Sequence, residues 1–261
     1  SLAKYLTPGN HTITIRIDNR VKDINPGVDA HSISDNTQTN WNGIVGDIKL
    51  TATPPVVFQN VKLFPDVKDK KVTVKGKVVN SSGKPQKGKI ILQAIESNGT
   101  NSLPPLEKEM EIEEEGDFEI DYPMGNDPLL WDEFDPNLYT MKLQLESDLG
   151  TSEKEVVFGM RDFKVDGKHF AINGSPVYLR GTLECSIFPL TGYPSTDVDE
   201  WKRIFKIIRS YGLNHMRFHS YCPPEAAFRA ANEMGIYIQV EASSWANIGD
   251  GEPVDEWIYK E

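Results

Sequence analysis

From His11 to Asn19 the chain reads HTITIRIDN, with Ile13, Ile15 and Ile17 alternating against Thr12, Thr14 and Arg16. A period of two sorts side chains onto opposite faces of an extended backbone, so this stretch predicts a half-buried strand. A long polar loop runs from Arg20 to Asn40, then WNGIVGDIKLTA, where Ile44, Ile48 and Leu50 supply the apolar positions of a further strand. Two or three strands bury too little to stand alone. Residues 1–53 therefore predict the end of a larger sandwich, or a piece supported by the segments C-terminal to it.

Pro54-Pro55 marks the first boundary, because proline cannot donate to a ladder. From there to about Gly159 the pattern holds no convincing helix. KVTVKGKVVN, GKIILQAI, GDFEIDY, LYTMKLQLES and EKEVVFG read as short strands separated by turn residues such as Ser82-Gly83 and Glu115-Gly116-Asp117. In LYTMKLQLES the residues Tyr139, Met141, Leu143 and Leu145 share one face. About seven strands over about 100 residues predict an immunoglobulin-like sandwich. The acidic run EKEMEIEEEGD reads as a solvated strand edge whose charge discourages pairing; the lesser alternative is a calcium site.

After Gly159 the pattern changes to strand, helix, strand. SPVYLRGTLE is a predicted strand, and STDVDEWKRIFKIIRSYG a helix with Trp201, Ile204, Phe205, Ile208 and Tyr211 on one stripe. Thr196 and Asp199 offer a capping box and Gly212 a stop. LNHMRFHS is the second strand, PPEAAFRAANEMG another helix ended by Gly235, and IYIQVEASSW the third strand. Strands alternating with helices predict parallel βα units, roughly three of them, which are too few to close a barrel.

Parity then places the polar residues. Arg180, Thr182 and Glu184 share parity on the first strand, Arg217 and His219 on the second, Gln239 and Glu241 on the third. All three sets fall near strand C-termini, where a (β/α) barrel keeps its active site. Each residue also has a structural reading. Arg217 and Glu241 can be an ion pair that orders the strand ends, and His219 a hydrogen-bonded core histidine. Arg180 can be purely structural, Glu184 simply solvated, and Trp245 either a platform for a sugar face or loop padding.

Composition changes this picture little. The chain has 261 residues, 38% of them hydrophobic and 26% charged, so two or three domains are expected. A formal charge of −11 disfavours nucleic acid, whose phosphates reward basic clusters. No apolar run approaches the ~20 residues of a membrane span. Two cysteines, Cys185 and Cys222, make neither a disulfide framework nor a zinc site. Asn-x-Ser/Thr sequons at Asn10, Asn80, Asn98 and Asn173 are uninformative without the compartment. The start at Ser1 leaves cytoplasmic, periplasmic and secreted locations open, since it need not be the native N-terminus.

Several segments in order carry a resemblance. WNGIVGDIKL, LLWDEFDPNLYTMKLQL, FGMRDFKVDGKHFAINGSPVYLRGTLE and YGLNHMRFHSYCPPEAAFRAANEMGIYIQVE together resemble glycoside hydrolase family 2, the β-galactosidase, β-glucuronidase and β-mannosidase group. The resemblance covers essentially the whole sequence. It implies that residues 1–53 are the C-terminal part of a jelly-roll sugar-binding domain. Residues 54–159 would be an immunoglobulin-like β-sandwich, and residues 160–261 the first three or so βα units of a (β/α)8 TIM barrel.

The implied chemistry is retaining hydrolysis of a β-linked oligosaccharide or glycoside by two carboxylates about 5 Å apart. The foremost expectation is a β-galactosidase of carbohydrate catabolism; the alternatives are β-glucuronidase or β-mannosidase specificity, or a non-catalytic carbohydrate-binding module. In the family the two glutamates come after the fourth and seventh barrel strands, so both are expected beyond residue 261 and this chain alone is expected to be inactive. By resemblance Arg217 positions a catalytic carboxylate, His219 donates to a sugar hydroxyl, and Glu241 braces the pocket. Glu184 and Trp245 complete the expected substrate-binding set. No cofactor is expected, although some members bind a divalent metal in this region, and self-association into a homo-oligomer is allowed. Two departures bear on specificity. The family's Ser-His-Tyr-Pro order is replaced by His219-Ser220-Tyr221-Cys222-Pro223, and its polar Asn or His after the first strand by Leu183-Glu184-Cys185.

Overall fold

The computed structural model describes residues 2, 5–18, 24–31, 33–34, 36–37, 43–99 and 101–260. Seven strands come after Pro54-Pro55: β1 (Val56–Asp66), β2 (Lys71–Asn80), β3 (Gln86–Glu96), β4 (Leu106–Ile112), β5 (Glu115–Pro123), β6 (Tyr139–Ser147) and β7 (Gly150–Phe158). They pair as two antiparallel sheets, ordered β1-β2-β5 and β4-β3-β6-β7. Between the sheets Val72, Val74 and Val78 of β2 and Phe118, Ile120 and Tyr122 of β5 join a core with Ile90, Leu92 and Ala94 of β3. The predicted face of β6, Tyr139, Met141, Leu143 and Leu145, completes it. Full burial of side chains of this size stabilises by about 1.5–3 kcal/mol each. The acidic run supplies β4, an edge strand, and the hairpin into β5. There Glu107 reaches Lys89 at 3.3 Å and Glu115 reaches Lys77 at 3.2 Å.

The three short strands β8 (Phe163–Asp166), β9 (His169–Ile172) and β10 (Ser175–Val177) form an antiparallel meander. The chain then alternates through β11 (Gly181–Glu184), α1 (Val198–Ser210), β12 (His215–Phe218), α2 (Glu225–Met234), β13 (Tyr237–Val240) and α3 (Pro253–Lys260). Strands β11, β12 and β13 pair in parallel, in that order. Trp201, Phe205 and Ile208 of α1 pack with Met216 and Phe218 of β12 and four alanines of α2. Three βα units are thus present, and the described residues do not close into a barrel.

Local chemistry corrects several expectations. The strand predicted over SPVYLRGTLE divides in two, because the Arg180 amide donates to Asn214 Oδ1 at 2.7 Å and turns the chain out of the meander. Asp197 rather than Thr196 caps α1, its side chain accepting from the Asp199 amide at 2.9 Å. Tyr211, expected on the buried stripe, is the C-terminal cap and lies 79% exposed. Helix α3 lies outside the predicted elements.

The largest correction concerns the N-terminal segment. Residues 11–18 and 44–53 form no strand, and Ile13, Ile15, Ile17, Ile48 and Leu50 all expose more than half their surface. Alternation specifies a strand only where another strand satisfies its backbone groups, and among the described residues no strand forms a ladder with either stretch. Of the polar loop and the motif after it, residues 19–23, 32, 35 and 38–42 lie outside the described residues. Among the described residues no helix is long and apolar enough to cross a membrane.

The LLWDEFDPNLY loop between β5 and β6 joins the sandwich to the βα units. Trp131 is buried, donates from Nε1 to the Asn232 carbonyl at 2.7 Å, and carries the Arg161 guanidinium 4.7 Å above its ring. Glu133, also buried, accepts from Asn214 Nδ2 at 2.5 Å and from Arg180 at 3.3 Å. These contacts lie at the N-terminal ends of the parallel strands, opposite the predicted site.

Candidate functional site

Register decides which side chains meet. Arg217 pairs with Leu183 on one side and Gln239 on the other, whereas Glu184 pairs with Phe218, which in turn pairs with Val240. Paired residues of a parallel ladder point the same way. Arg217 and Gln239 therefore share one face, and Glu184 belongs to the opposite face with Phe218, toward the helices. The even-numbered polar set of β11 therefore does not converge with the odd-numbered sets of β12 and β13, because the parallel pairing joins even positions to even and odd to odd.

Arg217 and Glu241 do meet. Arg217 Nε donates to Glu241 Oε1 at 2.5 Å, and the Ser220 amide donates to Glu241 Oε2 at 2.9 Å. Burial works against the charge on Glu241, but the bonds from Arg217 and Ser220 and the Arg217 charge outweigh it. The carboxyl group is held below its ordinary range. Ser220 takes a left-handed backbone at φ 57, an uncommon conformation for a non-glycine residue that recurs at functional sites. That twist aims its amide at Glu241 while its hydroxyl accepts from Trp245 Nε1 at 2.5 Å and lies 3.3 Å from His219 Nδ1. The His219 ring centroid lies 5.4 Å from that of Trp245, whose side chain is about half exposed. Four of the five expected binding residues, Arg217, His219, Glu241 and Trp245, thus assemble around Ser220.

Glu184 stands apart. It accepts from the Tyr221 hydroxyl and, at 3.3 Å, from the Ile187 amide. Burial, only partly offset by amide bonds, pushes its carboxyl group above the ordinary range. It braces the turn after β11 beneath the site. Arg180, expected at a strand C-terminus, sits before β11 and binds the Gly212 carbonyl at 2.7 Å and Glu133. Its place is structural. Among the described residues no group of three or more His, Cys, Asp or Glu is placed to hold a metal ion.

Two further participants are unmarked in the sequence. Ser220 carries no signal beyond its place before the Cys222-Pro223-Pro224 turn. His31, from the segment before the sandwich, is buried with its ring centroid 4.9 Å from that of His219, and its Nδ1 donates to the Cys185 carbonyl at 3.3 Å. No periodicity links positions 154 residues apart.

Comparison with known proteins agrees with this architecture. The family described as Glycosyl hydrolases family 2 matches residues 56–161, which span the sandwich. A β-galactosidase of Thermoanaerobacter pseudethanolicus is 28% identical over 95% of this chain and 33% of its own length. A β-galactosidase of Thermoanaerobacterium thermosulfurigenes is 30% identical over 47% of this chain and 17% of its own. The crystal structure of a Bacteroides uniformis β-glucuronidase shares the fold with a TM-score of 0.73 at 22% identity, over 92% of this chain and 29% of that one. The chain thus spans about a third or less of the length of these relatives. Residues 56–161 thus match the model of glycosyl hydrolases family 2, and the chain as a whole is similar to β-galactosidases in sequence and to a β-glucuronidase in fold.

Proposed function

We propose that the chain belongs to a retaining β-glycosidase and supplies one wall of its sugar subsite, at the mouth of a TIM barrel whose first three βα units it contains. The observation that carries this reading is the Arg217–Glu241 pair at the C-terminal ends of parallel strands, with the rings of His219 and Trp245 beside it. A fixed cation with an ordered carboxylate can hold a second carboxylate ionised and in place. His219 offers a ring N–H to a sugar hydroxyl, and the half-exposed face of Trp245 offers an apolar platform. Neither Glu184 nor Glu241 is assigned to bond cleavage. Glu184 is committed to Tyr221 and Ile187, and Glu241 to Arg217 and Ser220. The acid/base and the nucleophile are assigned to residues beyond position 261.

A β-galactoside is the first choice of substrate, because the β-galactosidase of T. pseudethanolicus aligns over most of the chain. The test is a panel of nitrophenyl β-D-galactoside, β-D-glucuronide and β-D-mannoside. The full-length protein is expected to release nitrophenol fastest from the galactoside, and the 261-residue chain to release none from any of them. Turnover by the pure chain would overturn the assignment of the catalytic pair. A full-length protein that hydrolyses no β-glycoside would overturn the reading as a whole.

A further inference from the structure

The N-terminal segment is buried in an unexpected order. Among the described residues of 1–53 the apolar Ile13, Ile15 and Ile17 are more than half exposed, while Pro26, Ala30 and His31 are buried. This buried stretch lies against the candidate site. The Pro26 carbonyl accepts from the Trp245 amide at 2.7 Å and from the Ser244 hydroxyl at 3.2 Å. His31 donates to the Cys185 carbonyl and packs its ring on His219. One short stretch thereby touches the loops after β11, β12 and β13. It is braced from within: the Gly27 amide donates to Asn25 Oδ1 at 3.1 Å, the Ser34 hydroxyl to the Val28 carbonyl at 2.6 Å, and the Ser34 amide to the Ala30 carbonyl at 3.0 Å. Gly27 has φ 90, and a Cβ there would stand 2.5 Å from the Trp245 carbonyl carbon. Only glycine fits that approach.

We propose that the stretch 26–31 is a tether that sets the orientation of His219 and Trp245, with His31 as its positioning residue. The assignment of those two rings to a sugar rests on the function proposed above; the tether itself is tested without any substrate. The Trp245 indole donates to Ser220, the Trp131 indole to Asn232 and the Trp201 indole to Ser195, so three indole N–H signals report three separate places. In 15N-labelled chain, Gly27→Ala and His31→Ala are expected to shift the Trp245 indole signal and speed its hydrogen exchange about tenfold, while the Trp131 and Trp201 signals stay in place. His31→Phe, which keeps a ring against His219, should return the Trp245 signal toward its original position. An unchanged Trp245 signal in both Gly27→Ala and His31→Ala would overturn the tether. Recovery in His31→Phe no better than in His31→Ala would overturn the role of the His31 ring. Should Gly27→Ala disturb all three signals by unfolding, the His31 pair of variants decides. Absence of glycoside turnover in the full-length protein would strike the proposed function and leave these signals unaffected.

Discussion

Two glutamates at the C-terminal ends of β11 and β13 have been driven in opposite directions by their surroundings. Glu241 has its ordinary value lowered, so in the folded state it stays ionised at pH values where the unfolded chain begins to take up protons. Its contribution is present above the unfolded value and is lost as pH falls through the lower folded value. Glu184 has its value raised, so between the unfolded and folded values the folded state keeps a proton that the unfolded chain has released. Its contribution is complete below the unfolded value and declines as pH rises through that window. Urea midpoints measured from pH 7 to pH 3 should therefore separate the variants. The deficit of Glu241→Gln relative to the parent is expected to shrink on acidification. Glu184→Gln is expected to gain on the parent as pH rises, since Gln can still accept from Tyr221 and carries no charge to desolvate. Parallel curves for the two variants would contradict this assignment. Residue types and spacing made Arg217, His219 and Glu241 legible as a set. The place of Glu184 was not legible, because parity within a strand says nothing of the register between strands.

At the scale of elements, periodicity located most of the sandwich strands, though not β1, and the two amphipathic helices α1 and α2. The face of β6 and the stripe Trp201, Phe205 and Ile208 are buried as their spacing predicts. Their patterns were legible because each repeats over several turns or pleats against a core that exists. Residues 11–18 carry an equally regular pattern and remain outside any sheet, since a pattern proposes a face and only a partner covers it. Turn chemistry was readable too, and Gly235 illustrates it. It ends α2 in a left-handed conformation at φ 67, and a Cβ there would lie 2.6 Å from the Glu133 carbonyl oxygen. Helix stop and domain contact thus demand glycine for independent reasons. Gly235→Ala is expected to destabilise the chain by about 2 kcal/mol or more, from backbone strain plus the displaced loop. A change under about 0.5 kcal/mol in urea unfolding would show that the loop yields freely.

At the scale of the molecule, a closed sandwich carries an open parallel sheet. β11 and β13 are the edges of that sheet among the described residues, and Leu183, Ile187 and Leu190 beside it expose half or more of their surface. Unpaired strand edges next to apolar surface invite association. The chain is expected to bind a hydrophobic dye and to elute at an apparent mass that rises with concentration. Monomeric elution at every concentration, with no dye signal, would mean that the N-terminal segment and the LLWDEFDPNLY loop already shield the exposed faces.

The sequence alone determined the elements of local pattern: five strands of the sandwich and its acidic edge, the helices α1 and α2, and the residue types gathered near the ends of β12 and β13. Those arise from periods of 2 and 3.6 residues, from prolines and glycines, and from side-chain chemistry, all of which act within a few residues of one another. The tertiary structure decided the features that depend on distance. It put Glu184 on the helix side of the sheet, made Arg180 and Glu133 a joint between domains, and left Ile13, Ile15 and Ile17 unpaired. It also brought Pro26 and His31 against residues 218 and 154 positions away. Register and packing between remote segments are set by which surfaces bury each other, and no local period encodes that choice.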